Sequence, residues 1–336
     1  MPLPSATGFR NEYGLLADRI REATLLRRRP AYYVATMALT TAAFAGGWVA
    51  LSAVGDSWAS LCIAALLAFL SAQVAFFAHD GGHQQIFASR RANRMVGLVA
   101  ANVLTGLSFG WWVPKHNAHH AHPNVIGRDP DIGVGTVALA FTADTVRNRK
   151  GAGRVLARYQ AWVFFPLLLL EGVGLRLSGV DNLLRRRDRS AAVEGMLLGM
   201  HAVLYLTAVF WVLSPLRAVT FVAVQQGLFG LYLGCSFAPN HKGMPVLADD
   251  SDLGFVRRQI ITSRDVTGTP LIGFLFGGLN YQIEHHLFPA MPRPNLPRAR
   301  AIIQMFCADH DIAYHESNLF GSYRQALSYL NMVGVV

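Results

Sequence analysis

The stretch SWASLCIAALLAFLSAQVAFFAHDGGH, residues 57–83, decides how this chain is read. From Ser57 to His79 it carries no charged side chain, and about 20 apolar residues are enough to cross a bilayer as a helix. It closes on His79 and His83, four residues apart and therefore on one face of a helix. Gly81 and Gly82 lie between them, and each costs roughly 1 kcal/mol in a helix interior. That turn is therefore loosened, or it needs glycine for the close approach of another backbone.

Working outward, residues 31–55 are also free of charge, and the tight turn at Gly55-Asp56 joins them to the first stretch as a helical hairpin. Residues 195–216 and 218–241 repeat the pattern around Ser214-Pro215-Leu216-Arg217. Two further apolar stretches are interrupted. Residues 95–114 are rich in Gly, Ser, Thr and Asn, and 159–179 contain Pro166, Glu171 and Arg176. Basic clusters at 27–29, 90–94, 147–158, 185–189 and 242–258 fall on one side of the membrane only if neither stretch crosses. Both are read as interfacial or partly embedded helices; two extra crossings would put basic clusters on both faces. After Pro289, Pro292, Pro294 and Pro297, amphipathic helices are expected near 298–308 and 318–332. The expected fold is an all-α integral membrane protein of four transmembrane helices in two hairpins. Residues 1–30 form a cytoplasmic segment, 31–288 the membrane domain, and 289–336 a cytoplasmic helical cap.

Composition agrees. Of 336 residues, 52% are hydrophobic and only 15% charged, against about 25% charged in soluble chains. That excludes an ordinary soluble enzyme and a disordered chain. The net charge of +10 would suggest nucleic acid on a water-exposed fold. Here the arginine runs set topology and meet anionic headgroups, and no nucleic-acid partner is expected. Cys62, Cys235 and Cys307 are too scattered for a disulfide framework or a thiolate metal site. The basic first thirty residues do not read as a signal peptide.

Histidine is the residue type that needs explaining. Eight of the twelve fall in four places: His79 and His83; His116, His119 and His120; His241; and His285 with His286. The assumed topology puts all four places on one membrane face. His116 with His119 and His120, and Gln282 with His285 and His286, have the three- and four-residue spacing that lets side chains converge. Neutral imidazole suits zinc, copper, iron and nickel. A zinc site is filled by four ligands, whereas eight imidazoles fit two six-coordinate metals with open positions, and iron suits a site where oxygen binds. No His-Glu-x-x-His pattern occurs, nor the paired Glu-x-x-His motifs of soluble di-iron bundles. His122, His310 and His315 are read as surface or hydrogen-bonded residues. His201, inside the third apolar stretch, is a functional candidate for which no partner can be named.

These residues resemble the three histidine boxes of the membrane-bound fatty acid desaturases: H-x3-H at His79 and His83, H-x2-H-H at His116, His119 and His120, and Q-x2-H-H at Gln282, His285 and His286. The stretch from Gly278 to Pro289, followed by Met291-Pro292-Arg293, extends the likeness. The resemblance implies two iron ions held by His79, His83, His116, His119, His120, His241, His285 and His286. It implies O2 as co-substrate and removal of two hydrogens from an acyl chain carried by CoA or lipid. Gln282 stands where many relatives have histidine; with Asn240 it is read as a contact one shell out from the metals. The glutamine box is shared by front-end desaturases and by bacterial enzymes acting on saturated chains, and Phe237–Met244 looks most like the actinobacterial acyl-CoA desaturases. A bacterial inner membrane, with the site and both termini cytoplasmic, is therefore expected.

No haem motif, Gly-x-Gly-x-x-Gly fingerprint or iron–sulfur cysteine set is present, and residues 1–30 are too short for a haem domain. Neither haem nor flavin is expected in this chain. Electrons would come from a separate ferredoxin, or a cytochrome with its reductase, steered by the basic face. Phe76, Phe77, Trp111 and Trp112 are candidate contacts for the acyl chain. Two rivals remain: a lipid hydroxylase with the same metals, and a membrane metal transporter or sensor.

Overall fold

The computed structural model describes residues 6–133 and 139–335. The first five residues of the expected N-terminal segment lie outside it, as do 134–138 of the expected membrane domain. The described residues are mostly helical. Four helices are long and apolar enough to cross a membrane: Pro30–Val54, Ser60–Gly82, Arg189–Val212 and Pro215–His241. The expected spans lie within these helices to a few residues, as local hydropathy requires. Leu39, Val49, Val203 and Trp211 are 72%, 69%, 65% and 88% exposed. Apolar side chains turned outward along helices whose backbone groups bond internally are what a lipid solvent demands.

The residues form two compact units. One comprises Arg28–Pro114 and Phe165–Cys235. In its core, Phe44, Leu51, Leu67 and Leu70 pack with Val209, Leu213 and Phe221. At one end the two interhelical turns are tied together: Asp56 accepts from the Ser214 backbone N–H at 2.9 Å, the Ser214 hydroxyl at 3.0 Å and Arg217 Nη1 at 2.6 Å. Gly81 and Gly82 do serve close approach. A Cβ at Gly81 would meet the Asn93 carbonyl oxygen at 2.8 Å, and one at Gly82 would meet the Trp112 ring at 2.9 Å.

The ambiguous stretch 95–114 is not one straight helix. Arg90–Leu98 runs into a π-helix, Val99–Thr105, and the chain then bends by 117° into the helix Phe109–Ala121. A π-helix leaves carbonyls poorly served at its end. Here His201 Nδ1 donates to the Val103 carbonyl at 2.8 Å and Arg176 Nη2 to the Thr105 carbonyl at 2.6 Å. His201 thus has a structural partner that its sequence position could not reveal. Glu194 caps the helix after the bend, accepting from Gly110 N–H at 2.9 Å and the Ser108 hydroxyl at 3.1 Å. The stretch 159–179 is likewise broken, into Phe164–Leu168 and Glu171–Arg185.

The other unit draws on Met1–Arg27, Lys115–Phe164 and Ser236–Val336. Leu16 and Ile20 of the helix Ala6–Glu22 pack on Val256, Ile260, Ile303 and Phe306. Helices Leu296–Asp309 and Leu319–Gly334 fall where prolines and periodicity placed them. A short parallel pair, Asp265–Thr267 with Glu316–Asn318, joins the C-terminal stretch to the segment after Arg264.

Candidate metal centre

Within the second unit, six of the eight candidate histidines come together from three separated segments. The helix Phe109–Ala121 supplies His116, His119 and His120, and the end of Pro215–His241 supplies His241. The short helix Gln282–Leu287 supplies His285 and His286. Its entry needs glycine: Gly277 and Gly278 have φ of 59° and 85°, and a Cβ at Gly278 would also meet Arg293. Asp265 then caps this helix, its Oδ1 accepting from Ile283 N–H at 3.0 Å.

The six form two triads, each with ring nitrogens within 4.8 Å of one another: His116, His120 and His285, and His119, His241 and His286. In the first, His116 Nε2 and His120 Nε2 are 3.1 Å apart. In the second, His241 Nε2 lies 3.2 Å from His119 Nε2 and 3.1 Å from His286 Nε2. Nitrogens bound at about 2.1 Å to one ion stand roughly 3.0–3.4 Å apart, so the donor set fits a first-row metal. His79 and His83 sit together in the first unit, both buried at the end of Ser60–Gly82, with ring centroids 4.7 Å apart. Trp112 packs against His79 there, its ring 5.5 Å away.

Behind the second triad every Nδ1 has an oxygen partner. His119 faces both oxygens of Asp129 at 3.0 Å, His241 faces the Thr262 carbonyl at 3.0 Å, and His286 faces Gln259 Oε1 at 2.9 Å. Gln259 also donates to the His120 carbonyl at 2.8 Å. These tethers leave the Nε2 atoms turned toward one another, which is how outer contacts orient metal-binding imidazoles. The Gln282 amide reaches His241 Nε2 at 2.8 Å and Asn240 Nδ2 donates to Gln282 Oε1 at 3.0 Å. Gln282 therefore lies on the nitrogen-facing side of the triad, and Asn240 stands behind it. Asp129, Gln259 and Thr262 escape sequence reading: each is a buried polar residue outside any motif, with a partner fixed only by the fold.

Charge around the centre is unevenly distributed. Burial alone would raise the Asp129 carboxyl, but the hydrogen bond and charge of His119 outweigh it and hold it below the usual range. Lys115 does the same for Asp131, with His119 second. On the far side of the short helix the balance reverses. Burial raises the Glu284 carboxyl well above its ordinary value, with Asp265 adding to it, and burial raises Asp265 as well. Tyr314 bridges them, its hydroxyl 2.6 Å from Asp265 Oδ2 and 2.9 Å from Glu284 Oε1.

Of the acyl-contact candidates, Phe77 lines an apolar cavity of about 290 Å³ in the first unit, with Met37, Val74, Val96, Ala100 and Leu104. Phe76 is buried against Tyr232, their centroids 6.3 Å apart. Trp111 is half-buried beside Trp112.

The fold and the donor set together describe a polytopic helical membrane protein with histidine clusters suited to binding metal. Residues 56–318 match the fatty acid desaturase family, and the chain belongs to it. It is 32% identical to the acyl-lipid (9-3)-desaturase of Physcomitrium patens, over 88% of this chain and 57% of that protein. It is 31% identical to a Delta(6)-fatty-acid desaturase of Caenorhabditis elegans, over 80% of this chain and 63% of that protein. With Delta(8)-fatty-acid desaturase 1 of Arabidopsis thaliana the identity is 27%, over 92% and 71%. The chain thus spans about three fifths of the length of the first two relatives.

Proposed function

We propose that this chain is a membrane-bound fatty acyl desaturase in which His79, His83, His116, His119, His120, His241, His285 and His286 hold two iron ions. The observation that carries the reading is the pair of imidazole triads, spaced for metal ligation, in a chain of the desaturase family. His79 and His83 join the ligand set by motif order. The bound irons would supply the oxidising power drawn from O2. The balance is one acyl –CH2–CH2– unit, one O2, two electrons and two protons giving one cis –CH=CH– unit and two waters.

The chain's own residues have definable tasks. Asp129, Thr262 and Gln259 hold three rings with Nε2 inward, and Gln282 with Asn240 flanks His241. An acyl chain has no polar group near the reacting carbons, so channel depth and bend must position it. The cavity beside Phe77, two residues before His79, supports that role, with Phe76, Trp111 and Trp112 as neighbouring contacts. The relatives' names favour a fatty acyl or acyl-lipid substrate, with the double bond counted at carbon 6 or 8 in two of them. The Phe237–Met244 stretch supports a bacterial inner membrane, the basic clusters support a cytoplasmic site, and a separate ferredoxin or cytochrome would deliver the electrons.

Expression in a host with profiled lipids tests this. A new fatty acid lighter by about two mass units is expected; a gain of about sixteen would mean hydroxylation instead. Purified protein should carry about two irons per chain, as a paired six-coordinate histidine site implies. His286→Ala should end turnover and leave membrane insertion intact. Exchangeable zinc without O2 uptake would favour transport and sink the proposal.

A further inference from the structure

The three tethers behind His119, His241 and His286 differ in charge: a backbone carbonyl from Thr262, a neutral amide from Gln259, and a carboxylate from Asp129. Asp129 is only 2% exposed. Its two oxygens are held in place by further donors, Oδ2 accepting from Asn124 N–H at 2.7 Å and Oδ1 from Asp131 N–H at 2.8 Å. The same loop is tied to the chain that bears His241, for Asn124 Nδ2 donates to the His241 and Pro245 carbonyls at 3.2 Å each. Asn124 adopts φ of 54° there, a left-handed conformation that asparagine tolerates.

From this geometry we infer that Asp129 is a positioning residue that fixes His119 as the strongest electron donor of its triad. The inference rests on the reading that His119 binds iron. With the proton of His119 on Nδ1, directed at an anion, the Nε2 lone pair is turned to the metal and the ring gains imidazolate character. His241 and His286 point the same way, but only neutral oxygens back them. The metal held by this triad therefore has one ligand unlike the other two. Substituting such a carboxylate typically weakens metal binding by about 10- to 100-fold. Asp129→Asn nearly keeps the shape. In either orientation it places an amide N–H₂ beside Nδ1 and gives up one backbone contact, and it favours the tautomer whose proton sits on the metal-facing nitrogen.

Detergent-purified wild type, Asp129→Asn and Asp129→Glu are stripped, reloaded with iron-57(II) alone, and followed by Mössbauer spectra and by iron release to a chelator. In Asp129→Asn, one iron should leave about 10- to 100-fold faster with its spectrum altered, while the other keeps its wild-type signature. Asp129→Glu should restore part of the loss, because it keeps the anion. If Asp129→Asn holds both irons with wild-type spectra and release, the inference falls and the desaturase reading stands. If wild type itself binds no iron, the desaturase reading falls. Thermal melting of the metal-free proteins separates a merely structural role: a loss of metal-free stability as large as the loss of iron retention assigns Asp129 to building its loop and overturns the inference.

Discussion

Replacing Arg264 by methionine should unlatch the helix end that presents His241. Arg264 is 1% exposed, and its guanidinium serves four acceptors on two segments. Nε and Nη2 donate to the Pro239 carbonyl, the former at 2.9 Å, and Nη2 also donates to the carbonyls of Lys242 at 2.9 Å and Ser322 at 3.3 Å. Nη1 donates to Gln325 Oε1 at 2.7 Å, and the Arg264 backbone N–H donates to the Asn240 carbonyl at 2.9 Å. The Pro239 and Asn240 carbonyls in the last turn of Pro215–His241 thus find donors in one residue, and a cation sits at the negative end of that helix. Burial lowers the guanidinium to about 10, so it stays charged at neutral pH.

Methionine fills similar space but leaves three buried carbonyls without these donors, at about 1–3 kcal/mol each. Relief from burying the guanidinium offsets several kcal/mol of that. A net loss of about 3 kcal/mol follows, which lowers a thermal midpoint by roughly 4 °C in a chain of 336 residues. The assay is melting of the detergent-solubilised protein, with iron per chain measured alongside, and both should fall. Arg264→Lys should recover less than half, since an ammonium cannot reach acceptors spread around a planar fork. A methionine variant with the wild-type midpoint and iron content would refute the reasoning.

Asp265→Asn tests the buried acid pair. A carboxyl with a raised folded-state pKa contributes stability that is present below its ordinary value and lost as pH rises toward the folded one, so wild-type stability should decline above about pH 4 on this account. Asparagine keeps the cap on Ile283 and relieves Glu284, so the decline in melting temperature between about pH 5 and 8 should flatten; an unchanged slope contradicts the assignment. Glu194→Ala removes the cap of Phe109–Ala121 and should cost about 1–2 kcal/mol, visible as faster amide exchange in that helix; unaltered exchange would count against it. Gly81→Ala drives a Cβ into the Asn93 carbonyl and should cost about 1–3 kcal/mol. Gly46→Ala, in open space on Pro30–Val54, should be neutral or stabilising, and equal melting of the two variants would refute the close-approach argument.

The contrast between the histidines and their tethers has a physical basis. The spans are legible because hydropathy is a local sum, and the boxes because three- and four-residue spacing is a property of one helix. His116, His119 and His120 advertise themselves within five residues. Asp129, Gln259 and Thr262 do not, because each meets its histidine across 10 to 27 residues of chain. Nothing in the local composition distinguishes them from other buried polar groups. The break at residues 99–108 is hidden for the same reason. Gly106 at φ of 68° permits the bend, but what sustains it are Arg176, Glu194 and His201, which lie between 71 and 98 residues from the groups they bind. An uncharged stretch rich in Gly, Ser, Thr and Asn is compatible with either a straight or a broken helix, and distant donors decide which forms. The candidate ligands are therefore written locally, whereas their orientation is written in tertiary contacts. Substitutions in the second class should change how metal is held while leaving every recognisable motif intact.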